Sequence, residues 1–125
     1  MPLRWNIDHG KKRVAATLLA TTNEEEMYAF LGELIAQDAM PYAKIFDGTN
    51  ASRWISPARI GPIAATTRLY SRMGLGPVGP LAIVIAGQRA TERAEEYVLL
   101  SDAARLVRIF ADVEEAEAWL ASLSG

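Results

Sequence analysis

Two hydrophobic periodicities alternate along the chain, and this alternation limits the possible folds more than any single motif does. Short apolar or alternating runs of strand length are followed by stretches in which apolar residues recur every three or four positions. Such runs predict strands at Arg4–Asp8, Arg13–Ala20, Ala43–Phe46, Leu81–Ala86 and Arg105–Phe110. A helical stretch follows every strand except the first, which gives the order β-β-α-β-α-β-α-β-α. With right-handed crossovers, this order predicts an α/β domain with a mixed, mostly parallel five-stranded sheet and an antiparallel edge strand.

The first and last helices carry the clearest start signals. Either Thr22 with Glu25 or Asn23 with Glu26 can form a capping box at the start of the first helix. Asp112 begins an Asp-x-x-Glu sequence and is expected to cap the last helix. The residues expected on the buried stripes are Met27, Phe30, Leu31, Leu34 and Ile35 in the first helix and Ala116, Trp119, Leu120 and Leu123 in the last.

The middle of the chain is less regular. Helices are expected at Pro57–Arg72 and from Ala90 or Thr91 to Leu100. Gly74–Pro80 contains several glycines and prolines but precedes a strand, whereas phosphate-binding loops follow a strand and begin a helix. We therefore expect it to be a connection.

The N-terminal hairpin gives two further expectations. The second strand is almost entirely apolar over Val14–Leu19, which is typical of a strand that is covered on both faces. His9 falls in the predicted turn, where we expect a turn residue and not a base or a metal ligand.

Composition is typical of a globular protein with one domain. The 125 residues are 50% hydrophobic and 22% charged, so residues 1–125 are expected to form a single domain with its own core. The best apolar run, Leu81–Ala86, has the length of a buried strand and is too short to span a bilayer. Because there is no cysteine and no signal-peptide pattern, a cytoplasmic location is expected. Neither a cofactor nor a metal site is expected.

The charged residues are unevenly distributed, although the formal net charge is only −2. No acidic residue occurs between Asp47 and Glu92, and the arginines of that interval are Arg53, Arg59, Arg68, Arg72 and Arg89. This distribution predicts either scattered surface arginines or a locally positive surface on an acidic protein. The small net charge gives no reason to expect nucleic-acid binding.

A candidate binding site is expected where the third strand is followed by the next helix. Within Ala43–Ile60 the strand ends at Asp47-Gly48, and the helix begins at Ser56-Pro57. Open α/β sheets usually bind ligands beyond the carboxyl ends of their strands, and helix N-termini bind anions. Ser56 is also expected to be the N-cap of that helix. The candidate ligand- or partner-binding residues are Asp47, Thr49, Ser52, Arg53, Trp54, Ser56 and Arg59.

Three segments carry a resemblance that covers nearly the whole chain. They are Ala43–Gly48, Leu81–Val84 and the C-terminal Arg105–Leu120, which contains the pattern R-[IV]-F-x-[DN]-x-x-E-A-x-x-W-L. In these segments and in the order of its elements the chain resembles the SpoIIAA-like proteins. That family is related to the STAS domain (sulfate transporter and anti-sigma factor antagonist) and is grouped by fold with Sec14-type lipid-binding domains.

The resemblance implies a small, non-enzymatic α/β module with a binding or regulatory role. In anti-sigma factor antagonists, a serine at the start of the helix after the third strand is phosphorylated within an Asp-Ser-Ser/Thr-Gly type motif. Ser56 is nearest to that position and is the possible phosphoacceptor, although Ile55 stands where the acidic residue of the motif is expected. A phosphate on Ser56 or on a bound ligand would be held by the helix N-terminus and by Arg53 or Arg59.

Other roles are compatible with the same residues. Arginines beside apolar Trp54 and Ile55 are also typical of a rim that binds lipid headgroups or a small anion, with peripheral membrane association. Apolar residues near the strand end are typical of a homodimer surface as well. An enzyme is not expected, because Asp47 and the nearby hydroxyls have no evident base partner, metal cluster or nucleophile motif. We expect Asp47 to hold its loop through Asx-type hydrogen bonds.

Overall fold

A computed structural model of the chain describes residues 3–19, 24–50, 79–88, 91–92, 94–95 and 106–123. Strands β1 (Leu3–Asp8) and β2 (Arg13–Leu19) are followed by helix α1 (Glu24–Ala36) and strand β3 (Ala43–Asn50). Strands β4 (Leu81–Val84) and β5 (Val107–Phe110) precede the C-terminal helix α2 (Val113–Leu123). Residues 88, 91, 92, 94 and 95 are also helical, within or just before the predicted third helix.

The strands form one sheet in the order in which they occur along the chain, β1-β2-β3-β4-β5. Strand β1 pairs antiparallel with β2, whereas each later strand pairs parallel with the one before it. The predicted α/β class, with a mixed five-stranded sheet and an antiparallel edge strand, is therefore confirmed. The finer assignment to the SpoIIAA/STAS fold stays a prediction. Some of the predicted elements lie outside the described residues. These are the capping candidates Thr22 and Asn23, the helix predicted at Pro57–Arg72, and the part of Gly74–Pro80 that precedes Gly79.

Helix α1 covers one face of the sheet at β1 and β2. The predicted stripe is confirmed at Met27, Phe30 and Leu34, which are at most 5% exposed, and Leu31 is half-buried. The prediction for Ile35 was wrong, since this side chain is 44% exposed. Successive residues lie about 100° apart around a helix, so Ile35 turns away from the sheet when Leu34 faces it. The buried partners of α1 in the sheet are Leu3, Val14, Ala16 and Leu18.

Helix α2 covers the opposite face. Its buried residues Ala116 and Leu120 pack with Ile45, Ala82 and Val84 of β3 and β4. Two further residues of the predicted stripe behave differently from each other. Trp119 is half-buried, with its ring centroid 5.7 Å from that of Phe110, whereas Leu123 is 40% exposed. The prediction for Leu123 was wrong because the helix ends there, one turn beyond the last residue that joins the buried cluster.

The start of α2 follows the sequence prediction. The carboxylate oxygen Oδ1 of Asp112 accepts the backbone N–H of Glu114 at 2.7 Å, which is the hydrogen bond of an N-cap. The backbone N–H of Ala116 donates to the carbonyl of Asp112 at 3.2 Å, so helical hydrogen bonding begins at the capping residue.

Strand β2 is covered on one face only, contrary to the expectation from its apolar sequence. Val14, Ala16 and Leu18 are buried beneath α1, whereas Ala15 is exposed. Alternate residues of a strand point to opposite faces, and α2 packs chiefly on β3, β4 and β5. An alanine is small enough to tolerate this exposure, so an apolar run that contains alanine does not by itself indicate burial on both faces.

Candidate functional site

The candidate site lies at the carboxyl end of β3, which is longer than predicted. The strand does not end at Phe46; it continues through Asp47 to Asn50 because its pairing with β2 continues. Thr17 lies opposite Asp47, and Leu19 lies opposite Asn50 after an irregularity in the register. On the other side the ladder ends where Asp47 lies opposite Val84, the last residue of β4. The end of β3 therefore projects beyond β4.

Asp47 and Thr49 are brought together at this end. The Oδ1 atom of Asp47 accepts the backbone N–H of Thr49 at 3.0 Å and its hydroxyl at 2.7 Å, and both side chains are half-buried. A carboxylate that accepts the N–H two residues later is the Asx-type arrangement expected from the sequence. The hydroxyl adds a second donor to the same oxygen, so the observed contacts of Asp47 stabilise the local backbone.

The remaining candidate residues lie outside the part of the chain that the structure describes. These are Ser52, Arg53, Trp54, Ser56 and Arg59. Their convergence with Asp47 and Thr49, and the role of Ser56 as a phosphoacceptor, stay predictions.

The described surroundings of this end of the sheet are acidic. Glu25 and Glu26 lie in the first turn of α1, at the carboxyl end of β2, and Asp112, Glu114 and Glu115 lie at the start of α2, at the carboxyl end of β5. Acidic residues are favourable at helix N-termini, which accounts for their position. Arg4, an exposed cation, also lies at this end, since it is opposite Thr17 and Thr17 is opposite Asp47. A larger positive surface would depend on the arginines between residues 53 and 89, outside the described residues.

The segments that follow β4 and β5 lie on opposite faces of the sheet. After β4 the chain joins one face, where Ile85 and Ala94 are buried with Leu81 and Ile83. After β5 it joins the other face, because α2 packs on the β4 residues that point the opposite way. The faces that these segments cover cannot be read from periodicity alone.

Lys44 is a buried lysine that no pattern in the sequence singled out. It lies at the amino end of β3, is 5% exposed, and donates from Nζ to the backbone carbonyls of Met40 and Tyr42, the latter at 2.8 Å. The carbonyl of Met40 also accepts the N–H of Gly79 at 2.9 Å. Lys44 therefore ties the turn after α1 to the sheet at the end opposite to Asp47.

His9 occupies the hairpin turn, as predicted, and is exposed. Its Nδ1 atom lies 2.8 Å from the hydroxyl of Tyr42, and its Nε2 atom lies 2.9 Å from Oε1 of Gln37. Because an amide oxygen only accepts, Nε2 carries a proton in this arrangement. These contacts link the hairpin to the end of α1 and to the residue before β3, which is a structural role.

A shallow polar depression of about 260 Å³ lies beside the hairpin and does not include the candidate site. It is lined by Asn6, Asp8, Lys11, Arg13, Ala15 and Glu117. Arg13 and Glu117 form an ion pair at 2.5 Å, which joins β2 to α2. Because Glu117 is half-exposed, water screens this pair, and pairs of this kind contribute little to stability.

Among the described residues, no group of three or more histidine, cysteine, aspartate or glutamate side chains is arranged to hold a metal ion. No described helix combines the length and apolar character needed to cross a membrane.

Comparisons of the chain with models of protein families, with curated proteins and with solved structures found no match. The SpoIIAA-like resemblance therefore stays an expectation that rests on the segments quoted above.

Proposed function

We propose that the chain is a non-enzymatic binding or regulatory module of the SpoIIAA/STAS type, which recognises a protein partner at the edge formed by Asp47–Ile60. The observation that carries this proposal is the pair of hydrogen bonds that Asp47 accepts from Thr49. Both donors of Thr49 meet one oxygen of its carboxylate, so the contacts of Asp47 hold the strand end in place. The acidic group expected at this edge thus has a structural explanation that requires no proton transfer.

The shape of the strand end supports recognition of a macromolecule. Gly48, Thr49 and Asn50 continue past Val84, the last β4 residue that pairs with β3. On the other side Asn50 still pairs with Leu19 of β2 and Gly48 is buried, so the strand end is held in place and offers a partner a preorganised surface at Thr49. A preorganised surface of this kind lowers the entropy that binding must overcome.

Most of the charged residues described at this end are acidic, with Arg4 as an exception, and this balance favours a protein partner over a free anion. Glu25, Glu26, Asp112, Glu114 and Glu115 lie at the same end of the sheet as Asp47. Carboxylates around a site repel phosphate and acidic lipid headgroups, whereas a protein partner can present basic side chains to them. Anion recognition would require Arg53 and Arg59 to outweigh these carboxylates locally.

Affinity capture with a phosphomimetic variant tests the proposal. The wild-type chain and Ser56→Asp are used as bait, and the captured proteins are identified and quantified by mass spectrometry. We expect at least one protein to be recovered with a several-fold different yield, because a new negative charge at the predicted helix start would change the local field. Ser122→Asp, at an exposed serine of α2, is the matched control and should recover the same proteins as wild type. Identical recovery with Ser56→Asp would contradict a Ser56-centred switch.

The alternative function is a lipid- or small-anion-binding module with peripheral membrane association, and the acid-free arginine segment supports it. Flotation with vesicles of phosphatidylserine and phosphatidylcholine at low salt tests this alternative. Binding that is lost in the double variant Arg53→Glu and Arg59→Glu, but kept in Arg108→Glu, would establish it. Absence of flotation at low salt would exclude an acidic membrane as the ligand.

A further inference from the structure

We propose that the chain forms a homodimer in which strand β1 pairs antiparallel with β1 of a second copy. In the proposed register, Arg4 lies opposite the partner's Asp8, and Asn6 lies on the twofold axis. This surface is at the far edge of the sheet from β5, and β2 lies between it and Asp47 of β3. The proposal therefore stands independently of the proposed function.

Within the described part of the chain, no strand pairs with the outer edge of β1, and the strand lacks several of the usual protective features. Strand β1 is the outermost strand of the sheet, and β2 is its one neighbour among the described strands. Its pairing with β2 is continuous from Leu3 to Asp8, without a bulge, and its sequence LRWNID contains neither proline nor lysine. Proteins commonly protect edge strands with bulges, prolines or lysines, because an unprotected edge pairs with other strands.

The hydrogen bond of Leu3 shows which backbone groups face outward. Its N–H donates to Oε2 of Glu26 at 3.1 Å and so points away from β2. Antiparallel strands alternate between residues that bond to one neighbour and residues that bond to the other. Trp5 and Ile7 are two and four residues after Leu3 in the strand, so their N–H and C=O groups also face outward.

Glu26 also selects the register of the proposed pairing. A register centred on Trp5 would place Leu3 opposite the partner's Ile7. That pair would require the backbone N–H of Leu3, which already donates to Glu26. A register centred on Asn6 places Trp5 opposite the partner's Ile7 and leaves Leu3 undisturbed. Two such symmetric pairs supply about four backbone hydrogen bonds.

The side chains of β1 complement each other in this register. Arg4 is exposed and forms no salt bridge within the part of the chain that the structure describes. Facing the partner's Asp8, it would form one of two symmetric ion pairs on one face of the extended sheet. On the other face Trp5 is 38% exposed, with its ring centroid 5.4 Å from that of Phe30. The partner's Ile7 would cover the exposed part of this ring.

Sedimentation velocity from micromolar to millimolar concentration tests the proposal. We expect a monomer–dimer equilibrium in the wild-type chain. Arg4→Asp should raise the dimer Kd by about tenfold or more, because both ion pairs become repulsive. Combining Arg4→Asp with Asp8→Arg exchanges the charges and should restore part of the affinity; the restoration is incomplete because Asp8→Arg also removes the turn hydrogen bond that Asp8 accepts from the N–H of Lys11. Arg108→Asp, at an exposed arginine of β5, is the matched control and should leave the Kd unchanged.

Hydrogen exchange and one backbone substitution test the pairing itself. We expect the amides of Trp5 and Ile7 to exchange more slowly as the protein concentration rises. Ile7→Pro removes an outward N–H without removing a hydrogen bond to β2 and should abolish the dimer, with circular dichroism as the check of folding. A monomer at millimolar concentration, a dimer whose Kd is insensitive to Arg4→Asp, or protection of these amides only after a different protein is added would overturn the proposal.

Discussion

Gly79 lies where the segment before β4 passes the turn that follows α1, and replacing it with alanine tests this contact. Its N–H donates to the carbonyl of Met40 at 2.9 Å, and the next residue, Pro80, accepts the N–H of Lys44 at 2.8 Å. A Cβ atom at Gly79 would lie closer than 3.0 Å to the backbone oxygens of Pro41 and Tyr42. Because these are backbone atoms, no side-chain rotation can relieve the clash.

The cost of Gly79→Ala follows from these contacts. Carbon and oxygen atoms pack best at roughly 3.5 Å, so the two segments must separate by about 1 Å. Overpacking of this kind typically costs about 1–3 kcal/mol, and weakening the hydrogen bond to Met40 adds about 1 kcal/mol. We therefore expect Gly79→Ala to lower the free energy of unfolding by about 2–4 kcal/mol, which corresponds to a decrease in Tm of about 10 °C for a domain of this size.

Gly32→Ala is the matched control for this prediction. Gly32 is exposed in α1, and a Cβ atom there would have no neighbour within 4 Å. Alanine favours a helix over glycine, so this variant should raise the free energy of unfolding by about 1 kcal/mol. Urea denaturation of both variants, followed by circular dichroism, measures the two effects. If Gly79→Ala unfolds within about 0.5 kcal/mol of wild type, the close approach inferred for these segments is wrong.

Substitutions at three further residues are tested by the same denaturation experiment. Lys44→Met should lower the free energy of unfolding by about 1–3 kcal/mol, because it removes the charged donor to the carbonyls of Met40 and Tyr42; stability equal to wild type would contradict this role. Asp38 follows the end of α1 and has a positive φ of 56°, a conformation that glycine adopts more easily than other residues do. Asp38→Gly should therefore raise stability by about 0.5–1 kcal/mol, whereas Asp38→Ala should lower it. Thr49→Val should lower stability by about 1 kcal/mol through loss of the hydroxyl bond to Asp47, and Thr49→Ser, which keeps the hydroxyl, should not.

The elements of the fold were largely predictable because periodicity and capping report local backbone structure. Asp112 was identified as an N-cap from sequence and makes the expected hydrogen bond. The burial of a side chain was predictable only where another element packs against the face that the local pattern marks as apolar. Ile35 and Leu123 continue apolar stripes, yet neither is covered, because the stripe does not say where the sheet ends.

The candidate site was predictable in position but only in part in structure. The extension of β3 past Asp47 depends on pairing with Thr17 and Leu19, which are distant in sequence. A polar Asp-Gly-Thr-Asn segment favours a loop when it is considered alone, and the neighbouring strand overrides that preference. The same limit applies to Lys44, whose burial depends on carbonyl groups that face it only in the folded chain.

The order of the strands has a consequence for the nascent chain. Each described strand from β2 onward is hydrogen-bonded to the described strand that precedes it in the sequence, so none of them has to wait for a later one before it can pair. The sheet can thus grow by addition at one side while the ribosome is still translating. The outer edge of β1 is the first edge to be complete, and no later described strand covers it. The proposed β1 dimer uses no residue of the C-terminal helix, so two chains on neighbouring ribosomes of one message would be able to pair before either has made that helix.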